Sequence, residues 1–150
     1  MFLVVVAAVF WLTASCARKT ADTGQSSAEL SGASRVDANG WIKVHLEGAP
    51  RVIGFQHGWL LASEIDDLIK ALAHFLEGST ARDWAFFRNA AARMFWPKLE
   101  AEFREEILGI VEGTRAKRPE LKYDAMDITA LNGWIELAWY YVPYIDEKAK

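Results

Sequence analysis

Four regimes of hydrophobic patterning succeed one another along the chain. Phe2 to Leu12 is an unbroken apolar run, and Ala17 to Asn39 is small and polar, with Leu30 and Val36 its only large aliphatic residues. Gly40 to Phe55 has strand character: Trp41, Ile42, Val44 and Leu46 precede a Glu47-Gly48-Ala49-Pro50 turn, and Val52-Ile53 resume. The spacing predicts a β-hairpin there, joined to a sheet or packed on the helices behind it, because an isolated hairpin is marginal in water.

From Leu61 onward the period becomes helical. Leu61, Ile65, Leu68, Ile69, Leu72 and Leu76 predict a first helix that stops near Gly78. Ser79 or Thr80 caps a second, with Asp83 in its first turn and Trp84, Phe87, Ala91, Met94 and Phe95 as its buried stripe. Pro97 opens a third, with Leu99, Phe103, Ile107, Ile110 and Val111 on its apolar face and a Glu100–Arg104 pair on its polar one. It fades between Gly113 and Arg118. Asp124 caps a fourth, which runs through Met126, Leu131, Ile135 and Leu137 and ends before Pro143. The expected class is α+β, an N-terminal hairpin followed by about four amphipathic helices.

The apolar run is too short for a membrane span and is followed by Thr13-Ala14-Ser15-Cys16, which reads as a signal peptide. Leu-Thr-Ala-Ser-Cys resembles a bacterial lipoprotein box, in which Cys16 is the lipid attachment point; simple secretion is the alternative. The expected organisation is residues 1–16 as leader, 17–39 as flexible tether and 40–150 as folded segment, exported to the periplasm or another extracytoplasmic space. Membrane association would then run through the lipid on Cys16.

Composition narrows the chemistry. The net charge is −3 and the basic residues are scattered among carboxylates, so no nucleic-acid partner is expected. One cysteine makes no intramolecular disulfide, and His45, His57 and His74 are too widely spaced to share a helical turn, so neither a metal nor a cofactor site is expected. The carboxylates between Lys98 and Glu106 read as a solvated helix face, and Glu64, Asp66 and Asp67 as acidic residues at a helix start.

Two groups of residues stand out. Gly54-Phe55-Gln56-His57-Gly58 sets a polar pair between glycines, expected at a strand-to-helix junction. Asn132 and Glu136 lie one turn apart in an apolar helix, where buried polar groups are expected to pair with backbone or with the hairpin turn. Both groups read as structural support.

Gly40-Trp41-Ile42-Lys43-Val44-His45-Leu46-Glu47-Gly48, Gly54-Phe55-Gln56-His57-Gly58, Asp83-Trp84-Ala85-Phe86-Phe87-Arg88 and Leu131-Asn132 with Glu136 together resemble the leading segment of cysteine N-terminal-nucleophile hydrolases. The group concerned is the acyl-coenzyme A:6-aminopenicillanic-acid acyltransferase-like one, which overlaps with phospholipase B-like proteins. The resemblance implies the front of an αββα fold and a precursor that cuts itself before a cysteine, whose freed amine then serves as base for the thiol. It also implies that Gly54, His57, Gly58, Asn132 and Glu136 are motif positions of structural character. No cysteine follows Cys16, so the chain itself is expected to hold no catalytic residue. It is expected to be inactive alone and to have the remainder of its own precursor as partner. A non-enzymatic helical lipoprotein or interaction module, with the seven tryptophans as core and partner surface, is the alternative.

Overall fold

The computed structural model describes residues 28–150; the expected leader with Cys16, and positions 17–27 of the expected tether, lie outside the described residues. The class is α+β, a two-stranded antiparallel hairpin followed by helices. Strand β1 (Ser34–Ala38) pairs with β2 (Trp41–His45), with Ser34 opposite His45 and Ala38 opposite Trp41. The connection is Asn39-Gly40, with φ of 54° and 79°. Two successive left-handed residues make the turn that matches the right-handed twist of a hairpin, and Asn-Gly is the dipeptide that adopts it most readily.

The hairpin therefore sits one strand earlier than the hydrophobic pattern placed it. Its first strand comes from the stretch read as tether. The expected second strand is instead helix α1 (Pro50–Leu60), with Pro50 in the first turn, where a missing N–H costs little.

Helix α2 (Ala62–Thr80) ends at Ala81 in left-handed conformation (φ 53°), and α3 (Trp84–Met94) is capped by Asp83, whose carboxylate accepts from the Phe86 N–H at 2.8 Å. Ser79 and Thr80, the expected caps, donate back to the carbonyls of Phe75 and Leu76 and belong to α2. Pro97 lies in a short 3₁₀ turn (Trp96–Lys98) ahead of α4 (Ala101–Lys117), not within it. Arg104 donates to the Pro97 carbonyl at 3.0 Å and stacks over Trp96, where a pair with Glu100 was expected.

Asp124 caps α5 (Ala125–Glu136) as expected and does so reciprocally: it accepts from Met126 and Asp127 N–H groups, while Asp127 accepts from the Asp124 N–H at 2.8 Å. The helix does not end before Pro143. It widens into a π turn (Leu137–Tyr141), with Val142 N–H bonded to the Leu137 carbonyl, and continues as α6 (Val142–Lys148) with Pro143 in its first turn.

Two adjoining apolar clusters hold the helices together. One gathers Leu72, Leu76, Phe87, Ala130, Leu137 and Val142; the other gathers Ile65, Ile69, Ile107, Ile110, Val111 and Ile128, and Trp84 and Leu131 touch both. Leu68, Phe103 and Ile135, expected inside, are about half exposed.

Helices α1 and α4 meet differently, backbone against backbone. A Cβ at Gly54 would lie 2.0 Å from the Glu106 carbonyl oxygen and one at Gly58 2.0 Å from that of Ile110. Reciprocally, Gly109 and Gly113 of α4 would place theirs 2.2 Å from the Arg51 and 2.0 Å from the Phe55 carbonyl oxygens. Only glycine fits four such positions. At the rim Arg51 pairs with Glu112 and Glu105. Among the described residues no helix is long and apolar enough to cross a membrane.

Candidate functional site

The segment Gly54 to Gly58, expected at a strand-to-helix junction, lies inside α1, and helical geometry gives each position a separate task. Gly54 and Gly58, four apart, share the face pressed on α4. Phe55 is buried and stacks with Trp59 at 6.0 Å. Gln56 is wholly buried and pins the hairpin to the helices: its Oε1 accepts from the Glu47 N–H at 2.9 Å, and its Nε2 donates to the carbonyls of Glu47 (3.0 Å) and Glu29 (2.8 Å). One side chain thus satisfies backbone groups of two separate segments. His57, the remaining position, faces a cavity.

That cavity measures about 660 Å³ and lies among α1, the end of α3, α4 and α5. Its walls are mostly apolar, with Phe95, Leu99, Phe103 and Ile107 among them, whereas His57, Glu106, Asn132 and Glu136 supply polar groups. A mostly apolar hollow with a few convergent polar groups is the general form of a small-molecule site. Gly133 of α5 lets Phe95 lie against the helix, since a Cβ there would come within 2.2 Å of the ring. The Thr129 hydroxyl is committed to the Ala125 carbonyl at 2.7 Å, and no serine or cysteine is among the lining residues.

Of the motif residues, His57, Asn132 and Glu136 thus meet at one place, while Gly54 and Gly58 stand behind it and set the approach of α4. Asn132 and Glu136 are exposed rather than buried, and Asn132 donates to the Ile128 carbonyl of its own helix at 2.9 Å, not to the hairpin turn. The turn's partner is Gln56. Glu106, read from sequence as part of a solvated face, lines the cavity with His57, on the pair of helices that the glycines let touch.

Burial pushes the His57 imidazole below its ordinary value near 6.5, and the Glu106 carboxylate opposes the shift in part. The ring is therefore neutral at pH 7, able to donate from one nitrogen and accept at the other. An NMR titration is expected to find His57 protonating below 6.5, and lower still in a Glu106→Gln protein; a rise on that substitution would remove Glu106 from the site.

A second polar cluster had no signature in the sequence. Asp66, in the second turn of α2, is 2% exposed and accepts from Lys70 Nζ at 2.8 Å, Tyr123 Oη at 2.6 Å and Arg118 Nη1 at 3.2 Å. Nearby, Asp127 accepts from the Trp84 indole at 2.8 Å, and Arg88 pairs with Asp124 and Asp127. These carboxylates face cations already engaged with them, so Asp66 ties α2 to the connection between α4 and α5, and Asp127 ties α3 to α5. His45 lies 3.4 Å from Glu47 at the surface and His74 is exposed. Among the described residues no three His, Cys, Asp or Glu side chains are placed to hold a metal ion.

No family model matches the chain, and no solved structure matches it. A curated protein of Archaeoglobus fulgidus, described as uncharacterized, is 31% identical over 100 residues, a match covering 63% of this chain and 16% of that protein. The chain thus spans about a sixth of the length of the curated relative it matches.

Proposed function

We propose that the chain is the front segment of a longer, exported, self-processing amide or ester hydrolase or acyltransferase of the cysteine N-terminal-nucleophile type, contributing pocket wall rather than nucleophile. The observation that carries the reading is convergence: His57 of α1 and Asn132 and Glu136 of α5, which the motif resemblance singled out, line one cavity although 75 residues separate the first two. The length of the archaeal relative, about six times the matched part, is in keeping with a larger precursor. In this reading the apolar wall receives the acyl or other apolar part of a substrate, and the polar groups orient its carbonyl-bearing end toward a thiol supplied by the remainder.

The test is to express the reading frame through and beyond Lys150 and follow its intact mass. The expected result is a cut directly before a downstream cysteine, abolished when that cysteine is changed to alanine. A stop codon directly after Lys150, or a longer chain that stays whole, overturns the proposal.

The alternative, a non-enzymatic helical lipoprotein or interaction module, draws on the exposed aromatic residues Phe75, Trp139 and Tyr140. It is favoured if residues 28–150 alone melt cooperatively as a monomer and no cysteine-led segment follows.

A further inference from the structure

The polar groups on the cavity wall are unequally divided between hydrogen-bond acceptors and donors. Glu106 and Glu136 bring two carboxylates, which only accept. Asn132 turns its amide nitrogen to the Ile128 carbonyl at 2.9 Å, which leaves Oδ1 unengaged. Thr129 gives its hydroxyl hydrogen to the Ala125 carbonyl at 2.7 Å, so its oxygen too is left only lone pairs. Against these stand the second amide hydrogen of Asn132, one N–H of the neutral His57 ring and the ammonium of Lys98, an exposed residue.

The two carboxylates also lack internal partners. Elsewhere on α4, Glu105 and Glu112 pair with Arg51, and Asp66 of α2 pairs with Lys70 and Arg118. Among the described residues Glu106 and Glu136 belong to no salt bridge. Unpaired carboxylates on a mostly apolar wall are complementary to a cation that arrives as part of a bound molecule, because a ligand that covers them excludes water and strengthens the attraction. An anionic head would meet them with the wrong sign, and Lys98 alone does not outweigh two carboxylates.

We propose that the cavity takes a molecule with an apolar body and a cationic nitrogen, the body lying against Phe95, Leu99, Phe103 and Ile107 and the ammonium hydrogens directed at Glu106, Glu136 and the Asn132 Oδ1. The volume, about 660 Å³, falls in the range of pockets that enclose a small organic molecule. As a statement about substrate this rests on the reading above, and adds that the amide or ester carries such a nitrogen; as a statement about binding it concerns the cavity alone.

The test titrates the 150-residue chain with n-octylammonium, 1-octanol and octanoate, which share an alkyl body and differ in the head, and follows the His57 ring and the Asn132 side chain by NMR. The ammonium is expected to bind at least about tenfold more tightly than the alcohol, and octanoate more weakly than either. Glu106→Gln and Glu136→Gln are each expected to weaken the ammonium about threefold or more, and Lys98→Met to strengthen it. Affinity for 1-octanol should stay unchanged in all three variants, which also checks that the cavity is still formed. Equal affinities for the three probes, a preference for octanoate, or shifts that leave His57 and Asn132 unmoved overturn the proposal. Self-cleavage of the longer reading frame with no preference for the ammonium removes this substrate class and keeps the hydrolase reading. A preference for the ammonium with a stop codon directly after Lys150 keeps the cation site and removes that reading.

Discussion

A Gly58→Ala protein is expected to be about 2–3 kcal/mol less stable than the unmodified chain, whereas Gly78→Ala is expected to match it or gain up to about 1 kcal/mol. Both substitutions replace a helical glycine, and on propensity alone both should help, since alanine has less backbone freedom to lose. They differ in what the new methyl meets. At Gly78 there is nothing within 4 Å, whereas at Gly58 the Cβ would lie 2.0 Å from the Ile110 carbonyl oxygen and 2.8 Å from the Thr114 nitrogen. Those are main-chain atoms of α4 and cannot swing aside like a side-chain tip, so the helices must separate. The reciprocal fit at Gly54, Gly109 and Gly113 would loosen with them, and the Thr114 hydroxyl would leave the Gly58 carbonyl it reaches at 3.3 Å. Urea midpoints of the two variants decide the matter: equal and opposite signs are not required, but a stable Gly58→Ala protein would mean that α1 and α4 do not touch along this face.

Asp66→Ala is expected to cost about 3 kcal/mol near neutral pH, and the advantage of the natural chain over Asp66→Asn is expected to fade in acid. The carboxylate is buried, and its removal leaves Tyr123 without an acceptor and Lys70 and Arg118 without their shared anion. Hydrogen bonds from Lys70 and then Tyr123 hold its pKa below the usual carboxylate range, against the opposing effect of burial. Because the folded pKa lies below the unfolded one, this contribution is fully present above about pH 4–5 and is lost as pH falls through the folded value. His57, also depressed on folding, works in the same direction from about pH 6.5 downward, but it is common to both proteins and cancels in the Asp66→Asn comparison. A difference between the two proteins that stays constant from pH 6 to pH 2 would show that the charge at Asp66 contributes nothing.

The long helices were legible because their apolar residues keep the 3.6 period through to burial: Ile65, Ile69, Leu72 and Leu76 on α2, and Ile107, Ile110 and Val111 on α4, are all inside. The hairpin was displaced because hydrophobic alternation reports burial, and this hairpin is exposed on most of its surface. Asn39-Gly40 was the readable signal, outweighed by the polar composition around it. Helix α1 was mistaken for strand because Val52-Ile53 and two glycines weigh against a helix locally. The need for those glycines is tertiary, and the matching clue was a second glycine pair at the same spacing, Gly109 and Gly113. The site was legible in its residues and not in its geometry: His57, Asn132 and Glu136 could be singled out, but their common cavity depends on how closely α1 approaches α4. Asp66 looked like one more acid near a helix start because its partners Arg118 and Tyr123 lie 52 and 57 positions away.

The hairpin is tied to the helices by directional groups: the Gln56 amide and the Arg35 guanidinium. Apolar contacts of similar strength would tolerate sliding and tilting, whereas hydrogen bonds fix angle and register. The two strands are accordingly held at a set angle to α1 and α2, and severing either anchor would free that angle while leaving the register of β1 on β2 intact.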